Sequence, residues 1–165
     1  MRICVNAGHT KFSKGTGANG YLNESKETRK IAYEVMKLLT DSNHEVIPAV
    51  FDRSANNLKE AVDLANNENA DLFVSIHLNA GGGQGCEAYT WKGQQVPQAV
   101  KACSYLKKLG FKSRGIKDGS NLYVIKNTKC TAILIEVCFV DSQDAELYKK
   151  VGYASIAKAI YNAIL

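Results

Sequence analysis

At 165 residues, with 45% apolar and 22% charged side chains, the chain is one ordinary domain, long enough to bury about two thirds of its unfolded surface. Two prolines, no low-complexity tract and no apolar run near the roughly 20 residues of a membrane span exclude a disordered or membrane-inserted chain. A net charge of +5, with neither interleaved aromatics nor a reading helix, gives no case for a nucleic-acid partner.

The first predicted strand is Arg2 to Ala7. Its "ICV" is far shorter than the roughly 7 to 15 apolar residues of a signal peptide, so synthesis in the cytoplasm without a leader is expected. The strand feeds a glycine-rich segment in which Gly15, Gly17 and Gly20 spell G-x-G-x-x-G. The context is wrong for a dinucleotide loop, whose first glycine directly follows the strand, because Gly15 comes eight positions after Ala7. The acidic residue expected about 20 positions on is missing too, since Asp52 stands 32 positions after Gly20. The glycines are better read as letting the loop bend and approach a substrate.

A helix follows from about Asn23 to Thr40, capped by Asn23, with Ile31, Val35, Leu38 and Leu39 facing the core. The second strand, "HEVIPAVF", carries Pro48 and is therefore expected at a sheet edge or bulged. A helix from Asn57 to Asn67 puts Leu58, Ala61, Val62 and Ala65 on one side and leads into the apolar strand "ADLFVSIHLNA". Then come a short strand "CEAYTW", a helix from Val96 to Leu109, a basic loop from Lys107 to Gly119, and the run "NLYVI". The last strand is Ala132 to Val140, and helices over Ser142 to Lys150 and Tyr153 to Leu165 finish the chain. This alternation predicts an α/β fold, a single twisted, mostly parallel sheet with helices on both faces. The five cysteines (Cys4, Cys86, Cys103, Cys130, Cys138) are odd in number and lack a C-x-x-C pair, so buried reduced thiols are expected.

Ligand-binding residues of open α/β sheets collect at the carboxyl ends of strands. His9, His77 and Glu136 fall there. Glu136 is the sharpest, because a carboxylate inside "AILIEVCFV" costs several kcal/mol to bury without a partner. It reads as a functional acid or base, or else as a strand glutamate paired with a cation at a sheet edge. His77 shares its strand face with Ser75 and Asn79 and reads as a ligand or as a core histidine satisfied by a neighbour. A hydrolytic zinc site wants three N or O ligands, an open position for water and a nearby glutamate. His9, Glu24 and His77 would supply the first three and Glu136 the last, although their spacing forms no local motif. Asn79 and Arg114 could orient substrate or steady an oxyanion, or be structural; Tyr89 and Trp91 could stack on sugar or sit on a half-buried edge strand. His44 reads as a surface turn residue, and no G-x-S-x-G nucleophile motif occurs.

The stretches "NAGHT", "GTGANGYLNE", "AVDLANNENADLFVSIHLNA" and "YVIKNTKCTAILIEVCFVDSQDAELY" resemble the zinc-dependent N-acetylmuramoyl-L-alanine amidases of the amidase_3 type, over Arg2 to Leu165. The resemblance implies a six-stranded sheet, one catalytic Zn2+ on His9, Glu24 and His77, and Glu136 as catalytic glutamate. It implies hydrolysis of the amide joining N-acetylmuramic acid to L-alanine of the stem peptide, with bacterial peptidoglycan as substrate. A monomeric catalytic domain without a wall-binding domain is expected, acting on the cell wall after lysis or within an endolysin, its basic loop available to an anionic wall polymer. The alternatives are a zinc peptidase or deacylase on another amide, and a non-catalytic wall-binding module. The chain departs from the family pattern at Leu78, Thr131, Cys138 and Asp141, of which Leu78 and Cys138 are expected to add bulk near the site.

Overall fold

The computed structural model describes residues 1–12 and 15–165, so Ser13 and Lys14 of the glycine-rich segment lie outside the described residues. In chain order the elements are β1 (Arg2–Ala7), α1 (Glu24–Asp41), β2 (Glu45–Ala49), α2 (Asn57–Asn67), β3 (Leu72–Asn79), β4 (Cys86–Thr90), α3 (Pro97–Lys108), β5 (Ser113–Asp118), α4 (Tyr123–Asn127), β6 (Thr131–Phe139), α5 (Asp144–Val151) and α6 (Tyr153–Ile164). The strands form one sheet in the order β2-β1-β3-β6-β4-β5. All neighbours are parallel except β4 and β6, so β4 and β5 run together against the direction of the other four strands. The starts of β4 and β5 therefore share one edge of the sheet with the ends of β1, β3 and β6.

Helix α1 begins where Asn23, in extended backbone, accepts the Lys26 N–H on its side chain at 2.9 Å; Glu24 and Glu27 in the first turn suit the positive helix end. Its Ile31, Ala32, Val35 and Leu39 are fully buried, whereas Leu38 is only half-buried. Strand β3 is buried along almost its whole length, as a strand covered on both faces must be. Pro48 sits in β2 at the sheet edge, where a missing N–H breaks no ladder.

The core has two parts. On one face α1, α3 and α6 cover Ile3, Val5, Val74, Ile76, Ile133 and Ile135. On the other, α2 and α4 cover Cys4, Phe73, Ala132 and Leu134. Continuing that second face by the strand period of two reaches Asn6, Ser75, His77 and Glu136. The apolar half of this face lies under two helices and the polar half continues toward the carboxyl ends of β1, β3 and β6, which is where the site forms. Among the described residues no helix is long and apolar enough to cross a membrane. All five cysteines are free thiols, four of them buried.

Several expectations need correcting. The basic segment read as a loop contains β5, an edge strand whose Arg114 and Lys117 need no buried face and whose charges discourage pairing with another sheet. The run "NLYVI" contributes to the short helix α4, because a turn at Gly119–Leu122 redirects the chain and Val124 and Ile125 are then buried against the α2 side of the sheet. Tertiary packing overrides β propensity there. Strand β4 is internal, not an edge, and Trp91 belongs to a single 3-10 turn after it, 40% exposed. Leu58, expected in the core, is 42% exposed.

Candidate active site

Glu24 is the pivot. It is the first residue of α1, only 3% exposed, and its Oε1 lies 3.1 Å from His9 Nε2 and 3.2 Å from His77 Nδ1. Backbone amides complete its shell: Leu78 N–H donates to Oε1 at 3.1 Å and Ala18 N–H to Oε2 at 2.8 Å. Burial works to raise the Glu24 pKa, but the hydrogen bonds and charge of His77 and His9 outweigh it and hold the carboxyl below the ordinary carboxylate range. Burial likewise works to lower His9, and Glu24 turns the balance upward.

Both imidazoles are fixed from behind. His9 Nδ1 meets the Gly15 carbonyl at 3.1 Å, and a carbonyl only accepts, so Nδ1 carries a proton. His77 Nε2 lies 3.0 Å from Ser75 Oγ, whose hydroxyl donates to Asn6 Oδ1 at 2.7 Å, while Asn6 Nδ2 donates to the Ala49 carbonyl at 2.7 Å. With the Ser75 proton spent on Asn6, the Ser75 oxygen accepts from His77 Nε2–H. Each ring thus keeps a proton on its outer nitrogen and presents the other to Glu24, where that nitrogen donates to the carboxylate when protonated and can bind a metal when it is not.

One donor atom from each of His9, Glu24 and His77 lies within 4.8 Å of the others. Ligands of a tetrahedral ion at 2.0 to 2.1 Å stand about 3.3 Å apart, close to the 3.1 and 3.2 Å that separate Glu24 from the two imidazoles. Two imidazole nitrogens and a carboxylate oxygen are a donor set suited to zinc. The backbone is drawn tightly around these three residues. His9 adopts φ 65°, a region costing a side chain about 1–3 kcal/mol. Gly17, at φ 80°, passes so close that a Cβ there would lie 2.7 Å from Glu24 Oε2 and 2.8 Å from His9 Cδ2.

Glu136 lies beside His77 in the β3–β6 ladder and opposite Glu87 in the β4–β6 ladder. Its Oε2 is buried without a hydrogen-bond partner among the described residues. Burial, with the charges of Glu24 and Glu87 adding to it, pushes the carboxyl up to about 8. An acid of that kind, with no cation paired to it among the described residues, is suited to taking and returning a proton near neutrality. No partner at a sheet edge explains it.

Asn79 and Arg114 do not reach the triad. Both meet Glu87, which is 3% exposed: Asn79 Nδ2 donates to Oε1 at 2.9 Å and Arg114 Nε to Oε2 at 2.7 Å, with the Tyr89 hydroxyl on Oε1 at 3.0 Å. Glu87 has the same sequence signal as Glu136, a carboxylate between apolar strand neighbours, but in a strand of only five residues. The Asn6–Ser75 relay has no signal in the sequence, because its two members come from different strands. His44 lies at the far end of α1, just before β2.

Leu78 and Cys138 do not crowd the site. Leu78 alternates with His77 onto the α1 side, and the β3–β6 register slips between His77 and Asn79, so that β6 advances one residue further and Cys138 turns into the same core at 0% exposure. Asp141 accepts from the Gly81 and Gly82 amides at 2.8 and 3.1 Å and fastens the loop that follows β3.

The sequence matches the family model described as N-acetylmuramoyl-L-alanine amidase over residues 3–165. An endolysin of Bacillus phage SPP1 is 37% identical over 162 residues, 90% of this chain and 58% of that protein. The N-acetylmuramoyl-L-alanine amidase CwlM of Bacillus licheniformis is 32% identical over 173 residues, 99% of this chain and 67% of that protein. Among solved structures, the catalytic domain of the CD27L endolysin targeting Clostridia difficile superimposes with a TM-score of 0.88 at 29% identity, covering 99% of this chain and 96% of that one. The chain spans about half the length of some of the curated relatives it matches, 51% and 52% for two Clostridium perfringens proteins.

Proposed function

Since the chain belongs to the N-acetylmuramoyl-L-alanine amidase family, we propose that it is a peptidoglycan hydrolase that breaks the amide joining N-acetylmuramic acid to L-alanine of the stem peptide. His9, Glu24 and His77 would hold a zinc ion, and Glu136 would be the general base and acid. The observation that carries this reading is the pairing of a buried carboxylate set between two imidazoles, each held at its far nitrogen, with a second carboxylate on the next strand whose buried Oε2 has no partner among the described residues.

Zinc in such a site supplies a water whose pKa falls from about 16 to about 7 and a positive centre that polarises a carbonyl. A cation held by His9, Glu24 and His77 would offset the Glu24 charge that helps to raise Glu136, and would so favour the ionised form of Glu136, the one able to accept a proton. Glu136 takes a proton from the attacking water as the oxygen adds to the acyl carbon. When the C–N bond breaks, Glu136 returns that proton to the alanine nitrogen, so one water is consumed and an acid and an amine are released. Ser75 and Asn6 hold His77 in its tautomer throughout, and the Gly15 carbonyl does the same for His9.

The test is to incubate the protein with bacterial peptidoglycan and identify the released ends, beside a chelator-stripped sample and a zinc-restored one. New L-alanine amino termini, lost on stripping and recovered with zinc, are expected. Other new termini would make it a peptidase, and sedimentation with walls without any cleavage would make it a binding module.

A further inference from the structure

Of the three donors that hold Glu87, Arg114 has hydrogen-bonding capacity left over. Its Nε is committed to Glu87 Oε2 at 2.7 Å, and its guanidinium carbon lies 5.1 Å from the centre of the Phe139 ring. Two contacts of that kind fix a planar group in position and orientation. Among the described residues, neither terminal nitrogen of Arg114 donates to a protein acceptor, and 38% of the side chain is exposed. What remains is a positioned fork of N–H donors, the shape that binds a carboxylate through two parallel hydrogen bonds.

Its place in the sheet says which carboxylate. Strand β5 is two strands from β6, about 10 Å at 4.7–4.9 Å a step, and the reversed direction of β4 and β5 brings Arg114 to the same sheet edge as Glu136. The triad lies on the opposite side of Glu136, where β1 and β3 end. A scissile amide between triad and Glu136 has one half running toward β5, and a peptide covers about 10 Å within three residues. Lys112 and Lys117 flank Arg114 in the chain, but the charges that act on Arg114 itself are the carboxylates Glu87 and Asp144, surroundings that suit a single carboxylate better than a polyanion.

We propose that Arg114 is a substrate-binding subsite that takes a carboxylate carried by the stem peptide close to the scissile bond, so that the peptide half lies toward β4 and β5 and the uncharged lactyl half on the triad side. This rests on the amidase reading above.

Two muropeptides that differ only in a carboxylate or a carboxamide on the residue after alanine separate the two ideas. The wild type is expected to favour the acid by about 10- to 100-fold in kcat/KM, the range of a charge-assisted pair, mostly through KM. Arg114→Gln should bring that ratio close to one, and Arg114→Lys, which keeps the charge beside Glu87 but not the fork, should fall between. A purely structural role would lower both substrates together and leave the ratio unchanged. A wild type without preference, or a ratio that survives in Arg114→Gln, overturns the subsite while leaving the amidase reading intact; no cleavage of either muropeptide overturns both. Should Arg114→Gln bind intact walls less well than the wild type but match it on walls stripped of anionic polymer, the occupant is that polymer and the peptide assignment is wrong.

Discussion

Glu24 and Glu136 are both withdrawn from water, yet their surroundings drive them in opposite directions. The hydrogen bonds and charge of His77 and His9 outweigh the burial of Glu24, whereas for Glu136 burial acts together with the charges of Glu24 and Glu87 and raises the carboxyl to about 8. The difference supports the separate roles proposed for them and makes them separable by mutation. Glu136→Gln is expected to keep its zinc, measured by atomic absorption, and to lose about 10²- to 10⁴-fold in kcat, the usual worth of a general base. Ser75→Ala should lower zinc affinity by about 10- to 100-fold in a chelator competition, because it leaves His77 Nε2 and Asn6 Oδ1 without their partner. An unchanged affinity would show that the relay does not orient the ring. At this scale Glu136 was legible because a lone carboxylate in an apolar strand is costly. Ser75 and Asn6 were not, since a hydroxyl and an amide in a strand are unremarkable until a partner from another strand stands beside them.

Among the elements, the segment between β1 and α1 does the most to build the site. It returns the chain so that the first residue of a helix meets a residue just past the end of a strand, and Gly8 and Gly17 are the points where the backbone presses closest on the triad, a Cβ there falling 2.5 Å from His77 Cε1 and 2.7 Å from Glu24 Oε2. Gly15 and Gly17 both have positive φ, 85° and 80°, but a Cβ at Gly15 would meet nothing within 4 Å. Both alanine variants should therefore lose about 1 kcal/mol or more of stability to backbone strain. Only Gly17→Ala should also weaken zinc binding, by displacing Glu24 and His9; equal zinc affinities in the two variants would dismiss that crowding. Helices α1 and α2 were readable to within a residue because their apolar periodicity is local, and α1 has a side-chain cap at Asn23 besides. Strand β5 and helix α4 were not, because an edge strand can be polar and a short apolar run takes the conformation that its neighbours demand.

For the whole molecule, an ion that joins β1, α1 and β3 cross-links elements held otherwise by the larger core. Zinc at about a thousand times its Kd adds about 4 kcal/mol to the folded state, which for a chain of this size raises Tm by roughly 10 °C. Calorimetry of stripped and zinc-loaded protein should show that rise, and it should shrink strongly in His77→Ala. No rise in the unsubstituted protein would mean that the triad does not hold the ion.

The sequence by itself determined the α/β class, most element boundaries, the family resemblance and the four residues proposed for metal and proton transfer, because these depend on local periodicity or on residues out of keeping with their strand. The tertiary structure alone decided the reversal of β4 and β5, the slip that turns Cys138 inward, and the meeting of Asn79, Tyr89 and Arg114 on Glu87. Strand direction and register arise from contacts between distant segments, and a one-residue slip moves a side chain to the other face of the sheet.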